Sequence, residues 1–351
     1  MTALPFADQD ARPVGSGRTA VKVWLWFVAA LVFAMVVVGG ATRLTGSGLS
    51  ITEWKPIMGA LPPLSHADWE AAFAKYREIP QFSVANRDMT LAGFQFIFWW
   101  EWAHRFLGRF IGVAFLLPFV AFAALGQIRR AEIPTFAGLF VLGGLQGAIG
   151  WWMVASGLSE RIDVAPYRLA IHLTLACAIF AALAAVAATL DRPRPTGVRR
   201  FGATLLLVAV LVQIFLGALV AGNDAGLVYN TWPLMNGTLV PPDVLAMDPI
   251  WRNFFENHAT VQFVHRLGAY TVFALAWIEA IRLRSRPGAE RWFARAVAVV
   301  ASAQAVLGIA TLLAVVPLPL ALTHQAGAVA LLLAAVLYRV AAGGSTAPAR
   351  A

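Results

Sequence analysis

Phe98-Trp99-Trp100-Glu101-Trp102-Ala103-His104-Arg105-Phe106-Leu107-Gly108-Arg109 heads one of the most apolar runs in the chain, and a shorter relative, His265-Arg266-Leu267-Gly268, heads another. Charge at membrane depth is costly, so an acid, an imidazole and two guanidinium groups in such a place ask for a reason. That the pattern returns near the start of a second apolar run suggests that the chain is built twice from one plan.

The composition fits a membrane protein. Of 351 residues 60% are hydrophobic and 13% charged, with a mean hydropathy of +0.71, outside the range of ordinary soluble domains. Eight apolar runs are each long enough to cross a bilayer as a helix: 22–43, 93–126, 134–156, 165–190, 201–222, 257–283, 292–315 and 319–341. The first run is too long for a cleaved signal peptide, and polar sequence precedes it.

The two halves match in order. Gly48-Leu49, Trp54 and Gly59 after the first run return as Gly226-Leu227, Trp232 and Gly237 after the fifth, 178 positions on. Gln146 and Gly150 in the third run return as Gln304 and Gly308 in the seventh, 158 positions on. The second and sixth runs carry His104 and His265, the fourth and eighth His172 and His324. Four spans per half is an even number, so both halves enter from the same side and form a parallel repeat about an axis along the membrane normal. The expected fold is an all-α integral membrane protein of eight transmembrane helices in two pseudo-symmetric four-helix bundles. Its parts are an N-terminal tail (1–21), a first bundle (22–190), a basic linker (191–200), a second bundle (201–341) and a C-terminal tail (342–351), with 1–15 and 343–351 expected to be disordered.

Charge sets the orientation. Sixteen of the 27 lysines and arginines fall on one side: Arg12, Arg18, Lys22, Arg129, Arg130, Arg192, Arg194, Arg199, Arg200, Arg282, Arg284, Arg286, Arg291, Arg295, Arg339 and Arg350. The opposite loop 316–320 has none. Positive-inside logic then puts both termini in the cytoplasm. The net charge of +9 reports topology and not nucleic-acid binding. On the far side, Ser65-His66-Ala67-Asp68 reads as a helix N-cap with an acid at the third helical position. Trp69, Phe73 and Tyr76 then share one face of a short helix lying on the membrane or capping the first bundle. The segment between the fifth and sixth runs, with Asn223, Asp224, Trp232 and Asn236, is the second cap. Cys177, the lone cysteine, reads as a core residue, with no disulfide or cysteine-rich metal site to be made.

Of six histidines, His66 reads as surface and His258 as a solvated helix end. His104, His172, His265 and His324 each lie near the start of an even-numbered run, so all four sit at similar depth, two per bundle. Hydrogen-bonded core histidines are the plain reading; four at repeat-equivalent positions point instead to metal ligation. Facing imidazoles across a bundle make a bis-histidine axial pair for haem iron, whereas zinc asks for a donor set that neither half supplies. Gly147, Gly150, Gly268 and Gly308 offer backbone room for a macrocycle, though glycine is also routine in membrane helix packing. Arg105, Arg109 and Arg266 suit haem propionates, or simply snorkel to the interface. One asymmetry stands out. Glu101 lies three residues before His104, on the same helical face; the matching position before His265 is Gln262, which cannot act as a base. The first bundle reads as a reaction site and the second as a held cofactor, with a Glu101–Arg105 ion pair as the structural alternative.

The ordered motifs resemble the haem A synthase family of bacterial and mitochondrial membranes. They are Thr42-Arg43-Leu44-Thr45-Gly46-Ser47-Gly48-Leu49, Glu53-Trp54-Lys55-Pro56, Glu101–Arg109, Gln146-Gly147-Ala148-Ile149-Gly150-Trp151-Trp152-Met153, Ile171-His172, His265-Arg266 and Thr323-His324-Gln325. The match spans roughly 22–341. The resemblance implies oxidation of the C8 methyl of haem O to a formyl, giving haem A for terminal oxidases, in a multi-pass protein of the bacterial inner membrane. It implies haem b on His265 and His324, substrate haem O on His104 and His172, and Glu101 as the essential carboxylate, acting as base or as stabiliser of a cation-like methyl. Some members carry a cysteine pair in the first outer loop; residues 44–92 contain none here, so a thiol relay there is excluded. Haem O synthase and an unidentified electron acceptor are candidate partners, with lipid around the spans and a homo-oligomer as a candidate assembly. A di-haem b-type electron-transfer subunit is the main rival, and a transporter a further one.

Overall fold

The computed structural model describes residues 16–55, 58–159, 161–191 and 201–343. The expected disorder of 1–15 and of most of 343–351, and the arginines of the linker, lie outside the described residues. Within them the protein is helical: α1 (Ser16–Leu44), α2 (His66–Arg77), α3 (Pro80–Ala85), α4 (Leu91–Ala124), α5 (Ile133–Ala155), α6 (Pro166–Thr189), α7 (Phe201–Gly222), α8 (Asn253–Glu256), α9 (His258–Arg282), α10 (Ala289–Leu313) and α11 (Leu318–Ala341). Seven helices are long and apolar enough to cross a membrane: α1, α4, α5, α6, α7, α10 and α11. The protein is thus a multi-pass membrane protein. Helix α9 has similar length but carries His258, His265, Arg266, Glu279 and Arg282, which lower its hydropathy.

Helix ends follow local chemistry. Ser65 caps α2, its hydroxyl accepting from Asp68 N–H while the Asp68 carboxylate accepts from Ser65 N–H, the reciprocal pair expected from the sequence. Thr90 caps α4 by accepting from Gly93 N–H and Asn257 caps α9 by accepting from Thr260 N–H, each through the one bond. Gly126 takes the left-handed backbone (φ 68°) that stops α4, and Gln127 N–H returns to Phe122 O, closing the last turn. Helix α1 starts at Ser16, six residues before the apolar run, so Arg18 and Lys22 are helical and close on Asp191; Arg18 also pairs with Glu132. Arg282 ends α9, while Arg291 and Arg295 sit inside α10 and Arg339 inside α11.

In hydrocarbon every backbone polar group needs an internal partner. Pro118 lies inside α4 and has no N–H, which frees the carbonyl of Ala114. The Trp24 indole on α1 donates to that carbonyl at 2.8 Å.

Helices α1, α4, α5 and α6 pack in a closed ring, as do α7, α9, α10 and α11; α6 packs on α7 and α11, and α1 on α11. One apolar core runs through both rings, from Leu25 and Val28 through Leu183 and Leu206 to Leu332 and Tyr338. At one end lie Arg18, Glu132 and Asp191. At the other, the segments after α1 and α7 cover the helix ends, and Arg43 in the last turn of α1 pairs with Asp224 just after α7 at 3.0 Å. Phe73 and Tyr76 of α2 pack there with Phe94 and Phe98 of α4, so α2 caps the first ring.

Candidate functional site

Each of the four histidines stands against a glycine on a neighbouring helix. A Cβ on Gly39 of α1 would lie 2.8 Å from Cε1 of His104, and one on Gly217 of α7, 178 positions on, 3.0 Å from Cε1 of His265. Likewise Gly150 of α5 makes room for His172, and Gly308 of α10, 158 positions on, for His324, each with a Cβ that would approach to 2.8 Å. His104 on α4 and His172 on α6 belong to the first ring, and His265 on α9 and His324 on α11 to the second. The structure thus brings the four together as two pairs, one per ring, each imidazole partly exposed. Among the described residues no group of three or more His, Cys, Asp or Glu is placed to hold a metal ion. The donor set is two imidazoles per ring, which fits an axially ligated haem and not a four-ligand zinc site.

The glycines expected to leave room for a macrocycle play a different part. Gly150 and Gly308 lie under imidazoles, and Gly268 under the Gln213 amide; only Gly147 faces open space.

Glutamines steady three of the histidines. Gln146 on α5 donates to His172 O at 2.9 Å, with its nitrogen 3.1 Å from the ring Nδ1. Gln213 on α7 donates to His265 O at 3.0 Å, its nitrogen 3.0 Å from Nδ1. Gln304 on α10 donates to His324 O at 2.7 Å. Gln213 escaped the sequence reading because the residue 178 positions earlier is Met35, which shares no chemistry with it. The Gly39–Gly217 spacing carried the signal that would have located this part of the site.

Glu101 is 2% exposed and fully engaged. Its Oε2 accepts from the Ser50 hydroxyl at 2.7 Å and from Ile51 N–H at 2.8 Å; its Oε1 accepts from Arg105 at 2.7 and 3.1 Å. The ion pair weighed from the sequence therefore exists, and the carboxylate faces the covering loop, with no hydrogen bond to His104 among these contacts. Arg105 also donates to Ile51 O and Glu53 O. In the second ring Arg266 donates to Tyr229 O and Thr231 O, each 178 positions on, and to Gln262 Oε1 at 2.8 Å. The Gln262 amide in turn donates to Ala225 O at 2.7 Å. Arg109 donates to Lys55 O at 3.0 Å. The three arginines assigned to propionates thus fasten the covering loops onto the helix ends. An amide takes the carboxylate's place in the second clamp, accepting one hydrogen bond from Arg266 where Glu101 accepts two from Arg105.

Further along the covering loop, hydrogen bonds from Lys55 and Lys75 hold the Glu53 carboxyl below its usual range. Gly40, beside Gly39, gives space to Gln325, whose amide donates to Val36 O at 2.5 Å and ties α11 to α1 beside both histidine pairs. Toward the opposite end Glu279 is buried against the Tyr338 hydroxyl and Arg282, a cluster that no sequence motif announced. His66 and His258 are exposed and Cys177 is buried and unbridged, as their plain readings had it.

A multi-pass helical protein with two imidazole pairs set against glycine notches is the class that fold and site define. Residues 22–336 match the family model described as COX15-CtaA, cytochrome oxidase assembly protein, and the chain belongs to that family. A protein of Azorhizobium caulinodans named heme A synthase is 56% identical over 325 residues, covering 91% of this chain and 93% of its own length. Proteins of the same name from Allorhizobium ampelinum and a Chelativorans species are 55% and 54% identical, over 90% and 94% of this chain and 88% and 93% of theirs.

Proposed function

We propose that this chain is a haem A synthase, a membrane oxidoreductase that converts the C8 methyl of haem O to a formyl group. The observation that carries the site assignment is the difference between two otherwise matching rings: paired imidazoles on glycine notches in both, an ionisable carboxylate in one and an amide in the other. Because Gln262 serves the second arginine clamp, fastening the loop does not by itself require an acid at Glu101. The name shared by relatives more than 50% identical over nearly the whole chain supports the activity.

In this reading α9 is the eighth span, and residues 22–190 and 201–341 are two four-helix bundles related by a parallel repeat. The bundles lie in a bacterial inner membrane, with the tails 1–21 and 342–351 and the linker 191–200 on the cytoplasmic side. His265 and His324 hold haem b, which supplies a one-electron relay when bound. His104 and His172 would hold haem O as substrate, with Glu101 one turn before His104 on α4 as its carboxylate, and Arg105, Arg109 and Arg266 keep the covering loops closed. Two successive hydroxylations of the methyl each take oxygen from water and release two electrons and two protons. The resulting gem-diol loses water to give the aldehyde. Glu101 takes up a proton or steadies positive charge at the methyl carbon, and Ser50 and Arg105 fix its two oxygens. Electrons pass to an acceptor outside the chain, and a haem O synthase supplies the substrate.

Extraction of the pigments from purified protein and their identification by mass tests this. Haem B together with haem O or haem A is expected. Haem B alone would favour an electron-transfer cytochrome.

A further inference from the structure

Beside the first arginine clamp lies a cavity of about 230 Å³, whose wall includes Thr45, Gln81, Ala85, Asn86, Ile97 and Asp163. Its polar wall is built. The buried Tyr76 hydroxyl of α2 donates to Gln81 Oε1 at 2.9 Å and accepts from the Asn86 amide at 2.7 Å, and the Gln81 amide donates to Gly46 O at 3.3 Å. Ala85 and Asp163 are exposed, so the cavity opens to solvent, with room and polar partners for several waters. Ile97 is common to the cavity and to the acid. Its carbonyl stands 3.4 Å from the Ser50 hydroxyl, which donates to Glu101 Oε2 at 2.7 Å. Ser47, three residues before Ser50 and fully buried, keeps its hydroxyl 2.6 Å from that of Thr45 on the cavity wall. Hydroxyls thus extend from open water toward a carboxylate that is itself buried.

The second ring lacks this series. At 178 positions on from Thr45, Ser47 and Ser50 stand Asn223, Ala225 and Val228. The two serine hydroxyls are missing in the ring where Gln262 replaces Glu101, and Ala225 O accepts from the Gln262 amide instead. A loop anchor survives that exchange, whereas a proton path is of use only to a group that ionises. A serine hydroxyl has one proton to donate and two lone pairs to accept with, so it can take a proton on one side as it gives one on the other. We propose that Ser50 and the cavity beside it carry protons between Glu101 and the aqueous phase. Glu101, having taken up a proton, passes it to Ser50 Oγ as the Ser50 hydroxyl proton moves to a cavity water. The carboxylate is left ionised, one proton leaves and no electron moves. Ser50 acts here through Glu101, and the inference rests on the reading of Glu101 as the base of the first ring.

The test times haem A formation from bound haem O in membranes carrying the full-length protein, in H2O and in D2O. Ser50→Ala should slow it about three- to tenfold, and Ala85→Leu, which narrows the cavity away from the acid, should slow it likewise. In both variants the proton step should become limiting, so the solvent isotope effect should rise above that of the unmodified protein. A packing defect would lower bound haem O, or the rate, without raising the isotope effect. Haem O content, read by mass after extraction, reports that each variant is folded and loaded. Ala85 is exposed, so its variant decides the matter even where Ser50→Ala loads poorly. An isotope effect left unchanged by either substitution in loaded protein would overturn this inference and leave Glu101 as the base. Normal haem A formation by Glu101→Gln would instead remove the reading on which it rests.

Discussion

Replacing Glu101 by glutamine separates chemistry from loop fastening, and its cost can be worked from the contacts. The carboxylate accepts two hydrogen bonds at each oxygen: Ser50 and Ile51 on one, two from Arg105 on the other. Glutamine has one acceptor oxygen. Turned toward Arg105, as Gln262 is toward Arg266, it sets its NH2 against Ile51 N–H and leaves that donor unpaired. The Ser50 hydroxyl can turn to Ile97 O, 3.4 Å away. One unsatisfied buried donor costs about 1–3 kcal/mol, local to the covering loop and small beside the packing of two helical rings. Loss of a general base costs about 10²–10⁴ in rate. Haem O to haem A conversion, measured by extracting and separating haems from cells that lack another source of haem A, should therefore fall at least 100-fold in Glu101→Gln. Haem B content should hold and haem O should accumulate on the protein. Ser50→Ala removes one loop bond, keeps the acid, and should stay within about tenfold of the unmodified rate, the loss of a single hydrogen bond being about 1 kcal/mol. Haem A formation within tenfold of normal in Glu101→Gln would refute the reasoning. So would a fall in Ser50→Ala as deep as in Glu101→Gln, since the carboxylate would then be a loop anchor only.

Other outcomes follow from the same contacts. Gly39→Ala and Gly217→Ala each place a Cβ within about 3 Å of an imidazole, so each should lower haem content on its own side, haem O for the first and haem B for the second, as read by mass after extraction. Trp24→Phe strands the Ala114 carbonyl that Pro118 frees and should cost about 1–3 kcal/mol. Pro118→Ala in the same chain restores a backbone donor and should recover most of that loss, a coupling that thermal unfolding in detergent would reveal. Because Lys55 and Lys75 depress the Glu53 carboxyl, their ion pairs stand at neutral pH and dissolve only as pH falls through that lowered value. Hydrogen exchange over 58–77 should thus be indifferent to a drop from pH 7 to pH 5, once corrected for the intrinsic rate. Glu53→Gln should matter by less than about 1 kcal/mol, since the carboxylate is half exposed.

The sequence made the helices legible because hydropathy and length mark spans directly. It also placed α9, whose polar residues weaken that signal but whose His265-Arg266 motif repeats the first half. The start of α1 was not visible in hydropathy, since its first turns are charged and find partners in Glu132 and Asp191 far along the chain. The four histidines could be picked out from repeat spacing. Their glycine notches could not, because a glycine that admits a side chain reads like one that admits a ligand or a helix. The arginine clamps were hidden for a related reason: their partners are backbone carbonyls of Ile51, Glu53, Tyr229 and Thr231, which carry no residue signature. Gln325 reaching α1 and Trp24 answering Pro118 are contacts between distant segments, settled only by how the rings pack.

The most direct test of two imidazole berths with different tenants is to remove one ligand from each and identify the haem that is lost. His324→Ala should deplete haem B from the purified protein and leave haem O binding in place; His172→Ala should deplete haem O or A and leave haem B at its normal level. Loss of the same haem from both variants would contradict the account.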